Sequence, residues 1–120
     1  MPMSEAQTLT ESSTARDLTA FQRNILIVLT EEPMYGLAIK RELENYYDEE
    51  VNHGRLYPNL DTLVERGLVE KSELDKRTNQ YGLTQDGLEA VEDAFAWSLS
   101  KFITDDARAE KVRALIEKYD

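Results

Sequence analysis

The chain contains no cysteine and a single histidine, His53. The first absence excludes disulfides, thiol switches and cysteine metal ligands, so any oxidant response would have to arrive by another route. The second leaves no donor set for zinc or haem. Apolar runs are short, and none approaches the roughly 20 residues that span a bilayer. The opening MPMSEAQTLTESSTA lacks the apolar core of a secretory signal. No nucleophile stands beside a base, and no glycine-rich phosphate loop is present, so no enzyme chemistry is assembled. The expectation is a soluble, cytoplasmic protein, not an enzyme, with no membrane association and no cofactor held by its own residues.

Positive charge is scarce. Fourteen Lys and Arg face 24 Asp and Glu, a net charge of −10. Nucleic-acid-binding domains are usually basic, so this balance argues at first against such a partner. The deficit is uneven, however. Residues 1–52 carry −6 and residues 82–120 carry −4, whereas residues 53–81 hold five bases and five acids. An acidic shell around a neutral face suits molar salt, where carboxylates hold water and cations and the Debye length shrinks to about 3 Å. Inorganic cations are therefore expected partners of the acidic surface. With 120 residues, 41% of them hydrophobic, the chain can bury one core.

The neutral third begins with HGRLYPNLDTLVERGL, preceded by Asn52. Asn52 can cap a helix by accepting from the free N–H groups of the first turn. Leu56, Leu60, Leu63 and Val64 then recur on one apolar face, and Gly67 supplies a left-handed stop. Arg55, Asn59, Thr62 and Arg66 fall on a second stripe that carries no acid. Arg and Asn are the side chains that bind guanine and adenine edges bidentately. Pro58 removes one helical N–H and is expected to distort the first turn, where Gly54 leaves room.

On either side the periodicity changes. Residues 1–14 are polar and expected to be a disordered tail. A first helix is expected over 15–30, with Leu18, Phe21, Ile25, Val28 and Leu29 on one face. Pro33 ends it, Tyr35-Gly36 reads as a turn, and a second helix runs to Tyr47 with Leu37, Ile39 and Leu43 as its apolar face. After Leu68, the runs 69–74 and 79–83 read as a hairpin whose tip holds Lys76 and Arg77. Thr84 caps a long helix carrying Leu88, Val91, Phe95, Leu99 and Phe102, and a last helix carries Val112, Ile116 and Tyr119.

Three helices followed by a two-stranded wing make a winged helix-turn-helix, mainly α with a small β-hairpin, whose third helix enters the major groove. The organisation expected is a winged domain over 15–84 and C-terminal dimerisation helices over 85–120. Long apolar spacing beyond a small core nominates Phe95, Trp97, Leu99, Phe102, Val112 and Ile116 for a dimer interface. The candidate DNA contacts are Asn52, His53, Arg55, Tyr57, Asn59, Thr62, Arg66, Lys71, Lys76 and Arg77. For Tyr57 the alternative is packing against helix two.

Several of these segments also carry a family resemblance. Tyr35-Gly36 with Ile39-Lys40-Arg41-Glu42-Leu43, then Gly54-Arg55-Leu56-Tyr57-Pro58-Asn59-Leu60, then Glu65-Arg66-Gly67-Leu68-Val69, and finally Tyr81-Gly82-Leu83-Thr84-Gln85-Asp86-Gly87 resemble the PadR-like transcriptional regulators. The acidic composition resembles haloarchaeal members, including one that responds to oxidative stress. The resemblance implies a homodimer on operator DNA, with Arg55, Asn59 and Thr62 in the recognition helix and Lys76 and Arg77 at the wing tip. His53 departs from a proline frequent in the family, and the C-terminal part is short. Two alternatives remain open at this point: a winged helix used as a protein–protein module, and an effector-binding sensor.

Overall fold

Thr19 and Gln22 open the first helix with a capping box. The computed structural model describes residues 17–73, 75 and 78–119. Thr19 Oγ1 accepts from the Gln22 N–H and Gln22 Oε1 accepts from the Thr19 N–H, both at 3.1 Å. These two bonds satisfy free first-turn donors and fix the start of α1, Ala20–Val28. The helix is therefore shorter than the span 15–30 suggested by apolar spacing. The expected tail over 1–14 lies outside the described residues.

Beyond Pro33, Met34–Tyr35 form a short strand, β1, where a turn was expected. It pairs antiparallel with β3, Met34 opposite Tyr81 and Tyr35 opposite Gln80. Two residues are too few to show alternation in a sequence, which is why the strand was not visible there. Helix α2, Gly36–Tyr47, closes on Asp48 in the left-handed conformation, φ 55°. Ile39 and Leu43 are buried, but Leu37 is 48% exposed and not part of the core. Glu44 ties the turn after α2: its Oε2 accepts from the Val51 N–H and from Lys40 Nζ, each at 3.0 Å. The Val51 bond first, and Lys40 second, hold this carboxyl below the ordinary range.

Helix α3, His53–Glu65, runs unbroken through Pro58. Its first turn is only tightened: the Arg55 and Leu56 N–H groups share the Asn52 carbonyl at 3.1 Å each. The helix ends as the sequence indicates. Gly67 sits at φ 76°, its N–H bonds to the Val64 carbonyl, and the Leu68 N–H reaches the Leu63 carbonyl, each at 3.0 Å. Strands β2, Val69–Glu73, and β3, Asn79–Leu83, follow. Val69 faces Leu83 and Glu73 faces Asn79, and the sheet order is β1-β3-β2. The expected two-stranded wing is thus part of a three-stranded sheet, and β2 is an edge whose Glu70, Lys71 and Glu73 are exposed, which discourages further pairing.

Helix α4, Gln85–Phe102, starts from a junction that binds three elements. The Thr84 N–H bonds to the Leu68 carbonyl at 3.1 Å, Thr84 Oγ1 donates to the Gly67 carbonyl at 2.7 Å, and it accepts from the Gly87 N–H at 3.0 Å. One hydroxyl thereby caps α4 and staples it to the end of α3. A Cβ at Gly87 would overlap the Leu68 carbonyl oxygen. Backbone cannot yield as a flexible side chain can, so Gly87→Ala is expected to cost about 1–3 kcal/mol, read as a lower melting temperature at constant KCl. An unchanged melt would show that the junction relaxes freely.

The core is drawn from α1, α2, α3, β2, β3 and the first half of α4, and Met34 of β1 packs against it. It includes Phe21, Ile25 and Leu26, Ile39 and Leu43, Leu56, Leu60 and Leu63, Val69 and Tyr81, and Ala90 and Val91. Helix α5, Asp106–Lys118, contributes no buried residue.

Candidate nucleic-acid interface

Helix α3 has three distinguishable faces. Leu56, Leu60 and Leu63 are fully buried and fix its orientation. Opposite them, at about 100° per residue, Gly54, Pro58, Asp61 and Glu65 form a crest, and all four are exposed. Between crest and core lies the flank that carries Arg55, Asn59, Thr62 and Arg66. Of these only Arg55 is fully exposed, and the other three are half-buried. The acid-free stripe is therefore a shoulder, and the outermost ridge carries two carboxylates. The crest was legible as the positions opposite the leucines, but its acids and its small Gly and Pro gave no reason to single it out.

The shoulder is held from behind by α1. Gln22 Nε2 donates to Asn59 Oδ1 at 3.1 Å, and Asn59 Nδ2 donates to the Arg55 carbonyl at 2.8 Å. Thr62 Oγ1 donates to the Pro58 carbonyl at 3.0 Å. Arg55 lies with its guanidinium carbon 4.0 Å from the centre of the Phe21 ring and 5.9 Å from that of Tyr47. Asn52 sits at the N-terminus of α3, its Oδ1 accepting from the Arg55 N–H at 2.8 Å. His53 is exposed and stacks on Tyr57, ring centres 5.5 Å apart and planes at 13°. Tyr57 packs on the core margin and against Gly36, where a Cβ would collide with its ring. Lys71 projects from the edge strand, exposed. Lys76 and Arg77 lie outside the described residues. Asn52, His53, Arg55 and Asn59 thus gather at the N-terminal half of α3, Thr62 lies on the same flank about a turn further on, and Lys71 stands apart on the wing. Among the described residues there is no group of three or more His, Asp or Glu side chains placed to hold a metal ion.

The C-terminal candidates present a different surface. Phe95, Leu99 and Phe102 on α4 are exposed, as are Trp97 at 66% and, on α5, Ile116 at 63% and Tyr119 at 84%; Val112 is half-buried. Arg108 folds back across the turn between the helices, its Nη1 donating to the Phe102 carbonyl at 3.2 Å and its guanidinium 4.8 Å from the Phe102 ring centre.

Residues 25–93 match the transcriptional regulator PadR-like family. The chain belongs to that family. It is a DNA-binding transcriptional regulator and not an enzyme. A complex of H. salinarum RosR, hsRosR–S4, is similar at 67% identity and a TM-score of 0.86, over 90% of this chain and 94% of that one. H. salinarum RosR grown from NaBr is similar at 68% identity and 0.83, over 87% of this chain and 94% of that one. F93 from STIV, a winged-helix DNA-binding protein, shares 16% identity at a TM-score of 0.56, over 70% of this chain and 91% of that one, and shows the winged-helix fold alone. No curated protein matches. The mainly α fold with a small antiparallel sheet is a winged helix, and no described helix is long and apolar enough to cross a membrane.

Proposed function

We propose that this PadR-like chain is a homodimer that reads a pseudo-palindromic operator with α3 in concentrated salt, inside the cytoplasm. The observation that carries the reading is the N-terminal half of α3. It presents Arg55 with its guanidinium in no ion pair among the described residues, beside exposed Asn52 and His53. A winged helix places that part of its third helix against base edges. Arg55 is the base reader, Thr62 and Arg66 flank it, and Asn59 sets the path of the helix through Gln22. Tyr57 and His53 brace the helix start, and Lys71, Lys76 and Arg77 meet phosphates from the wing. The winged unit spans 15–84, and 85–120 serves the dimer through Phe95, Trp97, Leu99, Phe102, Val112 and Ile116. The net charge of −10 supports a role in concentrated salt, with cations on the acidic surface. The response to oxidative stress that the family resemblance implies would be one that no thiol transmits, because the chain has no cysteine.

The test separates reading from positioning. Arg55→Ala is expected to cost about 1–3 kcal/mol on the preferred duplex and to relax base preference, while Lys76→Ala with Arg77→Ala weakens all duplexes evenly. Equal effects of both sets on preferred and random DNA would remove α3 from its role. Failure of the wild-type protein to shift any duplex at high KCl would favour a protein–protein module instead.

A further inference from the structure

We infer that Phe21, a residue of α1 out of reach of the outer surface, is a positioning residue that determines how strictly Arg55 discriminates between base pairs. The inference rests on the reading of Arg55 given above. Phe21 belongs to the core and is only 5% exposed, and the Arg55 guanidinium carbon lies 4.0 Å from the centre of its ring. The ring itself is fixed. It stacks on Tyr47 with centres 6.1 Å apart and planes at 25°, and the Tyr47 hydroxyl accepts from Asn24 Nδ2 at 2.9 Å. Two helices therefore supply a rigid aromatic floor under one guanidinium.

Such a floor does something an ion pair would not. A carboxylate would hold Arg55 by its N–H donors, the same donors that bind guanine bidentately. A ring attracts the cation through its quadrupole and takes up no oxygen acceptor. Among the described residues the Arg55 guanidinium makes no salt bridge and no hydrogen bond to an oxygen. The side chain is thus restrained in the free protein while its donors stay available. Its backbone is restrained too, by the Asn59 bond to its carbonyl and the Gln22 bond to Asn59. A long flexible side chain loses rotamer entropy on binding, and restraint beforehand removes part of that loss only for the geometry in which it is held. Preorganisation therefore favours the matching base pair over its competitors, and α1 becomes part of the specificity apparatus without touching DNA.

The experiment uses the full-length protein at constant high KCl. The probe is a duplex selected from a randomised library by the wild-type protein, together with the same duplex substituted at each base pair in turn. Phe21→Leu keeps an apolar side chain and removes the ring, and Phe21→Tyr restores it. Phe21→Leu is expected to lower discrimination roughly threefold to tenfold at the base pair where Arg55→Ala abolishes it, and to change random-duplex affinity by less than about twofold. Phe21→Tyr is expected to keep wild-type discrimination. Full discrimination in Phe21→Leu at the pair that Arg55→Ala relaxes overturns the proposal, as does an even loss on every duplex. If Arg55→Ala relaxes no position, the underlying reading falls and this proposal with it. Should Phe21→Leu fail to fold, NMR of the free wild-type protein decides: Arg55 side-chain protons shifted upfield by a ring current support the stack, and unshifted ones overturn it.

Discussion

Leu99→Glu combined with Ile116→Glu is expected to convert a dimer, of twice the chain mass by light scattering at micromolar concentration, into a monomer. Both side chains are exposed, so the winged core should keep its melting transition. The physical case lies in α5 and the far half of α4. Helix α5, Asp106–Lys118, buries nothing in the single chain, and an isolated helix of this length is marginal in water. Its large apolar residues, with Phe95, Trp97, Leu99 and Phe102, make a face of the kind that monomers rarely expose. The Cα radius of gyration, 16.2 Å, exceeds the ~14 Å of a compact domain of this size, consistent with helices reaching away from the core. Joining two recognition helices makes the second half-site an intramolecular encounter. Losing that link should weaken operator binding by about a hundredfold or more and leave single half-site affinity nearly unchanged. Half-sites should stand one helical turn or a multiple apart, at about 10 bp per turn. A wild-type monomer under these conditions, or a double variant that stays dimeric, would defeat the assignment.

How far the chain could be read unaided follows from which forces act locally. The Asn52 cap, the leucine face of α3 and the Gly67 stop are fixed by near neighbours, and all three stand in the structure where the spacing puts them. Thr84 is similar, although its second bond, to the Gly67 carbonyl, depends on tertiary approach. The start of α1 was missed despite a local signal, because apolar periodicity continued upstream of the Thr19 and Gln22 box. Strand β1 was missed for a different reason: it exists only through its pairing with Tyr81 and Gln80. The same holds for the interface. Spacing shows that Arg55 and Asn59 share a stripe, but not that Asn59 is bonded to Gln22, 37 residues earlier, or that Arg55 lies over Phe21. Spacing places the stripe between the leucines and the crest, but does not reveal how much of it is covered. That depends on which neighbours cover it, and α1 is the neighbour.

The crest of α3 is expected to set the salt behaviour, with an effect that should span orders of magnitude. Arg55, Arg66, Lys71, Lys76 and Arg77 give ten basic groups per dimer in the 53–81 region. If all ten met phosphates, log K would fall against log salt with a slope of about −9. A protein with that slope would release DNA in molar KCl. Asp61 and Glu65, however, stand on the exposed crest opposite the buried leucines, the face that would lie nearest the groove. Carboxylates beside phosphates repel unless cations lie between them. Binding should therefore take up cations at these acids while releasing others from the DNA, and the two terms oppose. The expected slope is much shallower than −9, with binding persisting above about 1 M KCl. Asp61→Asn with Glu65→Gln should remove the uptake, steepen the slope and raise affinity at low salt. Glu110→Gln with Glu117→Gln on α5 changes the net charge equally and should leave the slope alone. Titration between about 0.3 and about 2 M KCl decides the matter, with light scattering at each point to exclude self-repulsive unfolding at low salt. A wild-type slope of about −9, or identical slopes in both double variants, would show that the crest acids take no part.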